Sequence, residues 1–341
     1  MSDWTAAIWA ARGAAIAAFA ACFCVGLIVV LHPLLRRYAL AKPNARSSHL
    51  HPTPQGGGIA VIGATAMAAG FGLFGLDAAL AAPLTTVLIA AVAMACLGAV
   101  DDIRPLAVAP RLILQAVIVA AVIYALPDEL RVLPVLPLWA ERVLLFCGGL
   151  WFVNLVNFMD GIDWMTVVEI VPMAAGLVAL GCLGALARDG IIVALALGGA
   201  MLGFAYFNRP TARLFLGDVG SLPIGLLTGW LLVLLAGAGH LAAAALLPLY
   251  YLADSTLTLI RRLARGERVW QAHRTHYYQR ATDRGYTVTE IVARVFAVNV
   301  GLAALALATV AAESRTVDAA ALLGGAALVG WLLYAFSRKR R

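Results

Sequence analysis

Charge is scarce in this 341-residue chain: only 13% of its residues are Asp, Glu, Lys or Arg, about half the share of a typical soluble domain. Lysine is nearly missing, with Lys42 and Lys339 alone among 25 basic residues. The five cysteines (Cys22, Cys24, Cys96, Cys147, Cys182) form no CxxC pair and sit in apolar runs, which argues against disulfides and thiolate metal sites. Neither an internal repeat nor a low-complexity tail is visible. Met1 to Gly13 carry Asp3 before their only Arg, which is not the pattern of a cleavable leader. Together these shortages exclude a soluble globular enzyme, a disordered chain and a nucleic-acid binder, in spite of a net charge of +7.

What is plentiful is apolar. Hydrophobic residues make up 63% of the chain and the mean hydropathy is +0.91. A membrane-spanning helix takes about 20 such residues, so the total suffices for about ten or eleven spans. Apolar runs fall at 14–35, 57–76, 79–100, 111–127, 138–158, 166–187, 190–207, 221–239, 241–262, 288–312 and 317–336. The expected class is an all-α polytopic integral membrane protein, one transmembrane domain over residues 1–341. It has about 11 transmembrane helices, or ten if 57–100 or 221–262 divides differently.

Basic residues set the orientation, because Lys and Arg gather on the cytoplasmic side. With the N-terminus outside, 19 of the 25 fall inside, five outside and Arg294 within the run 288–312, and the C-terminal Arg338-Lys339-Arg340-Arg341 is cytoplasmic. The inner loops are then about 36–55, 101–111, 160–165, 208–220 and 263–287. Nearly all remaining polar residues lie in them or beside them, so the chemistry is expected at the cytoplasmic face.

Five segments stand out. Asp101-Asp102 ends the third run, and adjacent carboxylates need a cation, a metal or hydration nearby; a plain helix terminus next to Arg104 is the alternative. Asn154, Asn157, Asp160 and Asp163 crowd the end of the fifth run, the first three at a spacing that puts them on one helix face. Their oxygen donors suit Mg²⁺ better than zinc. In Gly217-Asp218-Val219-Gly220-Ser221 an aspartate flanked by glycines opens an apolar helix, a loop that admits an anion and holds a cation. It also reads as a simple turn with Ser221 as N-cap. Gly56-Gly57-Gly58, after His51 and Gln55, opens another helix and is weak by itself. Lastly, Arg261, Arg262, Arg265 and Arg268 fit the positive-inside bias, whereas His273-Arg274-Thr275-His276 adds imidazoles that can bond phosphate oxygens. Asp254, seven residues before Arg261, reads as one half of a buried pair with a basic side chain.

Arg46-Ser47-Ser48-His49 with Pro52 to Gly58, Asp101-Asp102, Asn154 to Asp163, Leu216 to Ser221 and His273 to His276, taken in order over residues 36–287, resemble the polyprenyl-phosphate N-acetylhexosaminyl-1-phosphate transferases (glycosyltransferase family 4). The resemblance implies transfer of HexNAc-1-phosphate from a UDP-N-acetylhexosamine to undecaprenyl phosphate at the bacterial inner membrane. UMP is released, and Mg²⁺ is the cofactor, with Mn²⁺ as a substitute. It implies that Asp101, Asp102 and Asp218 are catalytic and that Asp218 and Asn157 hold the metal. Asn157, Asp160, Asp163, His273, Arg274 and His276 would bind substrate, with Asp163 near the uracil and Arg274 and His276 on the diphosphate. The Arg-Ser-Ser-His and His-Arg-Thr-His forms look most like the branch that initiates O-antigen, a lipopolysaccharide. Trp164 stands where the family has glycine, and Gln55 where a basic residue is common.

The competing reading is a secondary transporter or lipid flippase. Such proteins place charges near the bilayer midplane within repeated halves, whereas these carboxylates gather at run ends. Gly199 and Gly203 suit helix packing within a chain or in a homodimer.

Overall fold

A computed structural model describes residues 3–41, 52–72, 78–268 and 273–340. Arg46, Ser47, Ser48, His49 and His51 lie outside the described residues. The described chain forms α1 (Asp3–Tyr38), β1 (Leu40–Ala41), β2 (Thr53–Pro54), α2 (Gly57–Gly72), α3 (Ala78–Ile103), α4 (Val108–Tyr124), α5 (Leu138–Met159), α6 (Met165–Cys182) and α7 (Arg188–Asn208). There follow α8 (Asp218–Gly237), α9 (Leu241–Leu246), α10 (Leu249–Ala264), α11 (Tyr277–Asp283), α12 (Val288–Ala312) and α13 (Arg315–Phe336). Eight of these (α1, α3, α5 to α8, α12 and α13) are long and apolar enough to cross a membrane, and α2 and α4 are shorter apolar helices. The protein is an all-α, multi-pass membrane protein. Its one small sheet among the described residues pairs Leu40 with Pro54 and Ala41 with Thr53, antiparallel.

Among the described residues, each apolar run lies mainly on helix, with one break. The run at 241–262 divides at Leu247-Pro248 into α9 and α10, because proline lacks the N–H that a continuing helix needs. The start of α10 is buried and is answered by α6, whose buried Glu169 takes a backbone hydrogen bond from Tyr251 and a 2.6 Å bond from the Asn299 amide of α12.

Close helix contacts follow the small residues. A Cβ on Gly199 would lie 2.2 Å from the Ala17 carbonyl oxygen, and one on Gly203 2.5 Å from that of Ala21. This glycine pair therefore serves the α1–α7 contact inside the chain. Buried α8 packs against α2, α3 and α5. Ile113, Val117 and Val143 point outward from α4 and α5, as lipid-facing residues do.

At the end of the bundle away from Asp101, two arginines have structural work. Arg131 bonds buried Glu141 at 2.6 Å, and Arg142 donates to the carbonyls of Leu126 and Pro127 beyond α4.

Candidate active site

Three helix ends meet at one end of the bundle: the C-termini of α3 and α5 and the N-terminus of α8. Their approach depends on glycine. A Cβ on Gly98 would stand 2.3 Å from the Asp218 carbonyl oxygen, and one on Gly58 only 2.2 Å from the Gly220 nitrogen. Backbone fills both places, so no side chain fits. Gly58 of the triple-glycine segment thus serves packing at the α2–α8 crossing.

α8 begins at Asp218, after Gly217, with no cap from its own chain neighbours. Its cap comes from α3. The Asp102 carboxylate accepts the Asp218 N–H at 2.9 Å and the Val219 N–H at 3.0 Å, and the Gln55 amide also donates to it. A carboxylate at a helix N-terminus satisfies free N–H groups and the positive dipole end together. Ser221, the plain-turn candidate for N-cap, instead sits in the first turn and accepts the Asn157 amide at 2.9 Å.

Asp101 turns the other way, accepting the Leu106 N–H at 2.6 Å and Arg111 at 2.9 Å. Arg111 also lies 3.7 Å from Asp218, whose other oxygen accepts the Asn157 amide at 2.8 Å. One guanidinium thus joins Asp101 and Asp218, while Asp102 takes backbone and amide donors instead.

The loop after α5 is built around its carboxylates. Asp160 caps the end of α5 rather than continuing the face of Asn154 and Asn157, and accepts the Thr166 hydroxyl at 2.5 Å. Burial, reinforced by Asp102 and Asp163, pushes its carboxyl up to about 7. Asp163 is buried and accepts the Ala212 N–H at 2.9 Å, tying this loop to the one before α8. Trp164 has φ +64, a left-handed conformation that costs a side-chain-bearing residue energy. It is held there by the Asn208 side chain on its N–H (2.8 Å) and the Ala205 carbonyl on its indole (2.7 Å). That explains why glycine is the easier residue at this position.

The histidine arm closes the far side. His273 and His276 stack with ring centres 4.9 Å apart, and both line a cavity of about 590 Å³ shared with Arg111, Asn154, Asn157 and Asp218. The rest of its wall, including Leu112, Cys147, Leu150, Trp151 and Leu259, is apolar. Arg274 turns instead onto α11, donating to Thr282 at 2.9 Å and pairing with Asp283 at 3.4 Å; it is not part of the cavity lining. The partner of Asp254 is His276, at 3.2 Å, and not Arg261.

Among the described residues no three His, Cys, Asp or Glu side chains form a ready-made metal cage. The donors around Asp218 suit a hard cation in another way, since Mg²⁺ is commonly held by one or two carboxylates with water and substrate phosphates completing the shell. Asp218 and the Asn157 side chain are the adjacent oxygen donors for that. Sequence reasoning gives Arg111 and Gln55 no role in the site, the first because positive-inside bias already explains it and the second because it is uncharged. The sequence marks Arg111 only by its place ten residues after an acidic pair.

A profile described as glycosyl transferase family 4 matches residues 84–236, which carry α3 to α8 and hence Asp101, Asp102, Asn157 and Asp218. Over these residues the chain is similar to glycosyl transferase family 4. Among the relatives of this chain is a phospho-N-acetylmuramoyl-pentapeptide-transferase of Rhodopseudomonas palustris, 29% identical over 58% of this chain and 62% of the relative. A protein of the same name from Psychrobacter cryohalolentis is 29% identical over 46% of this chain and 45% of its own. These matches span less than two thirds of either relative's length. A decaprenyl-phosphate N-acetylglucosaminephosphotransferase of Mycobacterium leprae is 25% identical over 90% of this chain and 85% of the relative.

Proposed function

We propose that this protein is a member of glycosyl transferase family 4 that transfers HexNAc-1-phosphate from a UDP-N-acetylhexosamine to a polyprenyl phosphate such as undecaprenyl phosphate, releasing UMP. The observation that carries the reading is a cavity that combines an apolar wall with a floor of Arg111, Asn157, Asp218 and His276. A lipid phosphate needs both, and so does a reaction that joins a lipid to a water-soluble nucleotide. The relative matched over most of its length is named for moving an N-acetylglucosamine phosphate onto decaprenyl phosphate, which agrees with this substrate class.

An oxygen of the lipid phosphate attacks the β-phosphorus of the donor. The bond from that phosphorus to the bridging oxygen breaks, and UMP leaves with the electron pair. Two anions must approach, so positioning and charge neutralisation are the work to be done. Arg111 supplies positive donors to the phosphate oxygens at the cavity, which His276 also lines. Asp102 holds the start of α8 and with it Asp218; Asp101 holds Arg111. Asp218 and Asn157 would hold Mg²⁺, with Mn²⁺ as a substitute. When bound, that ion neutralises diphosphate charge and steadies the leaving group. Asp160, Asp163 and His273 border the same loops and contact the donor, while Arg274 serves through α11.

The site faces the cytoplasm of the bacterial inner membrane, following the basic bias of the loops, and the product starts a lipid-linked envelope polysaccharide of O-antigen type. The test is to follow UMP release by the purified protein with UDP-GlcNAc, UDP-GalNAc and UDP-MurNAc-pentapeptide as donors and undecaprenyl phosphate as acceptor. Release with a simple UDP-HexNAc that requires the lipid is the expected result; a requirement for the pentapeptide donor overturns the O-antigen reading. No release with any donor overturns the transfer itself. Labelling of single cysteines in the C-terminal tail of sealed inverted vesicles checks the orientation.

A further inference from the structure

Asp254 is completely buried on α10 and yet surrounded by donors. It accepts the Tyr277 N–H at 2.9 Å and the Tyr278 N–H at 3.1 Å, and so caps the first turn of α11. The hydroxyls of Tyr250 and Thr258 lie 3.4 Å away. The remaining neighbour is Nδ1 of His276, at 3.2 Å. Since the backbone amides can only donate, the carboxylate acts as acceptor throughout, and the Nδ1 contact requires the proton to be on the histidine.

His276 has little freedom to answer otherwise. Its ring is 2% exposed, stacked between His273 at 4.9 Å and Tyr278 at 5.8 Å. Its backbone N–H is bonded to the Gln279 side chain at 3.3 Å. With Nδ1 committed to Asp254, Nε2 is the nitrogen left for the cavity that His276 lines. The charged and titratable groups around the ring are Asp254 and Tyr250 on α10, His273 on its own loop, Tyr278 on α11, and Arg111 with Asp218 at the same cavity.

We propose that Asp254 is a positioning residue that keeps the His276 proton on Nδ1 and so presents Nε2 to the cavity as the acceptor for a proton carried by a substrate phosphate group. This rests on the transfer reading for its purpose, but its geometry can be tested without turnover. Asparagine at position 254, with its amide nitrogen in place of the oxygen that faces Nδ1, donates to Nδ1 and moves the proton to Nε2, while its remaining oxygen keeps the Tyr278 N–H and the Tyr277 N–H is given up.

The first measurement is histidine-selective ¹⁵N NMR of the full chain in detergent at alkaline pH, with the His276 signals identified by their loss in His276→Gln. The Nδ1–H tautomer is expected in the wild type and the Nε2–H tautomer in Asp254→Asn. An Nε2–H tautomer in the wild type overturns the proposal whether or not the variant folds. The second is kinetic: Asp254→Asn should lower kcat/KM for the UDP-sugar about 10- to 100-fold, the range seen when the partner orienting a functional histidine is removed. Introduced into His276→Gln, the same change should cost almost nothing more, and Asp254→Glu should recover part of the loss. A further loss of about tenfold in the His276→Gln background would mean that Asp254 serves only α11. Absence of turnover in the wild type would count against the transfer reading and leave the tautomer result standing.

Discussion

Arg111 and Arg274 carry the same charge close to the same cavity, and their surroundings separate them. Arg111 is shared between Asp101 and Asp218 at the cavity, whereas Arg274 is committed to Thr282 and Asp283. Removing a charge-assisted hydrogen bond from a site costs about 1.5–3 kcal/mol, so Arg111→Ala should lower kcat/KM by about 10- to 150-fold. Arg274→Ala should cost much less, and a larger loss in Arg274→Ala would return that residue to the diphosphate. Asp160 makes a second prediction. Its carboxyl, raised to about 7 by burial, prefers the protonated form in the fold. The stability this contributes is present below the ordinary carboxylate range and is lost as pH rises through about 7. Asp160→Asn, which stays neutral, should therefore gain in apparent Tm relative to the wild type between about pH 4 and 7, with a constant gap above. A gap independent of pH in metal-free detergent would place the wild-type carboxyl in the ordinary range.

At the scale of elements the decisive feature is the junction of α2, α3 and α8. The start of α8 is aimed by Asp102 and by backbone contact, and both require α3 to approach without a side chain between. Gly98→Ala would set a Cβ 2.3 Å from the Asp218 carbonyl oxygen, a backbone atom that cannot swing aside. Overpacking of this kind costs about 1–3 kcal/mol. The expected outcome is a lower apparent Tm together with activity loss out of proportion to it, since Asp218 moves with the helix. Gly148→Ala, where nothing lies within 4 Å of the added carbon, is the control and should leave both unchanged. Equal behaviour of the two variants in a thermal melt and a UMP-release assay would remove the junction from the account.

For the molecule as a whole, the polar groups converge at one end of a bundle whose outer surface is apolar, and a divalent cation is proposed to join them to substrate. A chelator should abolish UMP release, and Mg²⁺ or Mn²⁺ should restore it. Asp218→Asn should stay inactive after the metal is returned while keeping its apparent Tm, because the lost charge belongs to the site and not to the packing. Undiminished release in excess chelator would end the metal-dependent mechanism. The break at Leu247-Pro248 belongs to this scale too. It lets α10 carry Asp254 and the arginine-rich end of its helix to the histidine arm, with Glu169, itself held by Asn299, meeting the freed backbone inside the bundle.

Composition and run length alone determined that the chain is a many-helix membrane protein, since a bilayer admits few other uses for so many apolar residues. The described residues of the eleven runs land mainly on helices for that reason. The acidic and amide residues at their ends were legible too, because a polar group at the edge of an apolar run is costly without a purpose. Which partner each one meets was not legible. Asp101 and Asp102 are neighbours in sequence, yet one holds Arg111 and the other caps α8, more than a hundred residues away. Arg274 and His276 are two residues apart, and only His276 lines the cavity. Successive side chains on a helix or loop point in different directions, and sequence spacing says nothing about the helix that will lie opposite. That choice is made by packing: Gly58 and Gly98 let backbones touch, Pro248 bends the path of the chain, and the remaining polar atoms take the donors and acceptors that this packing brings within reach.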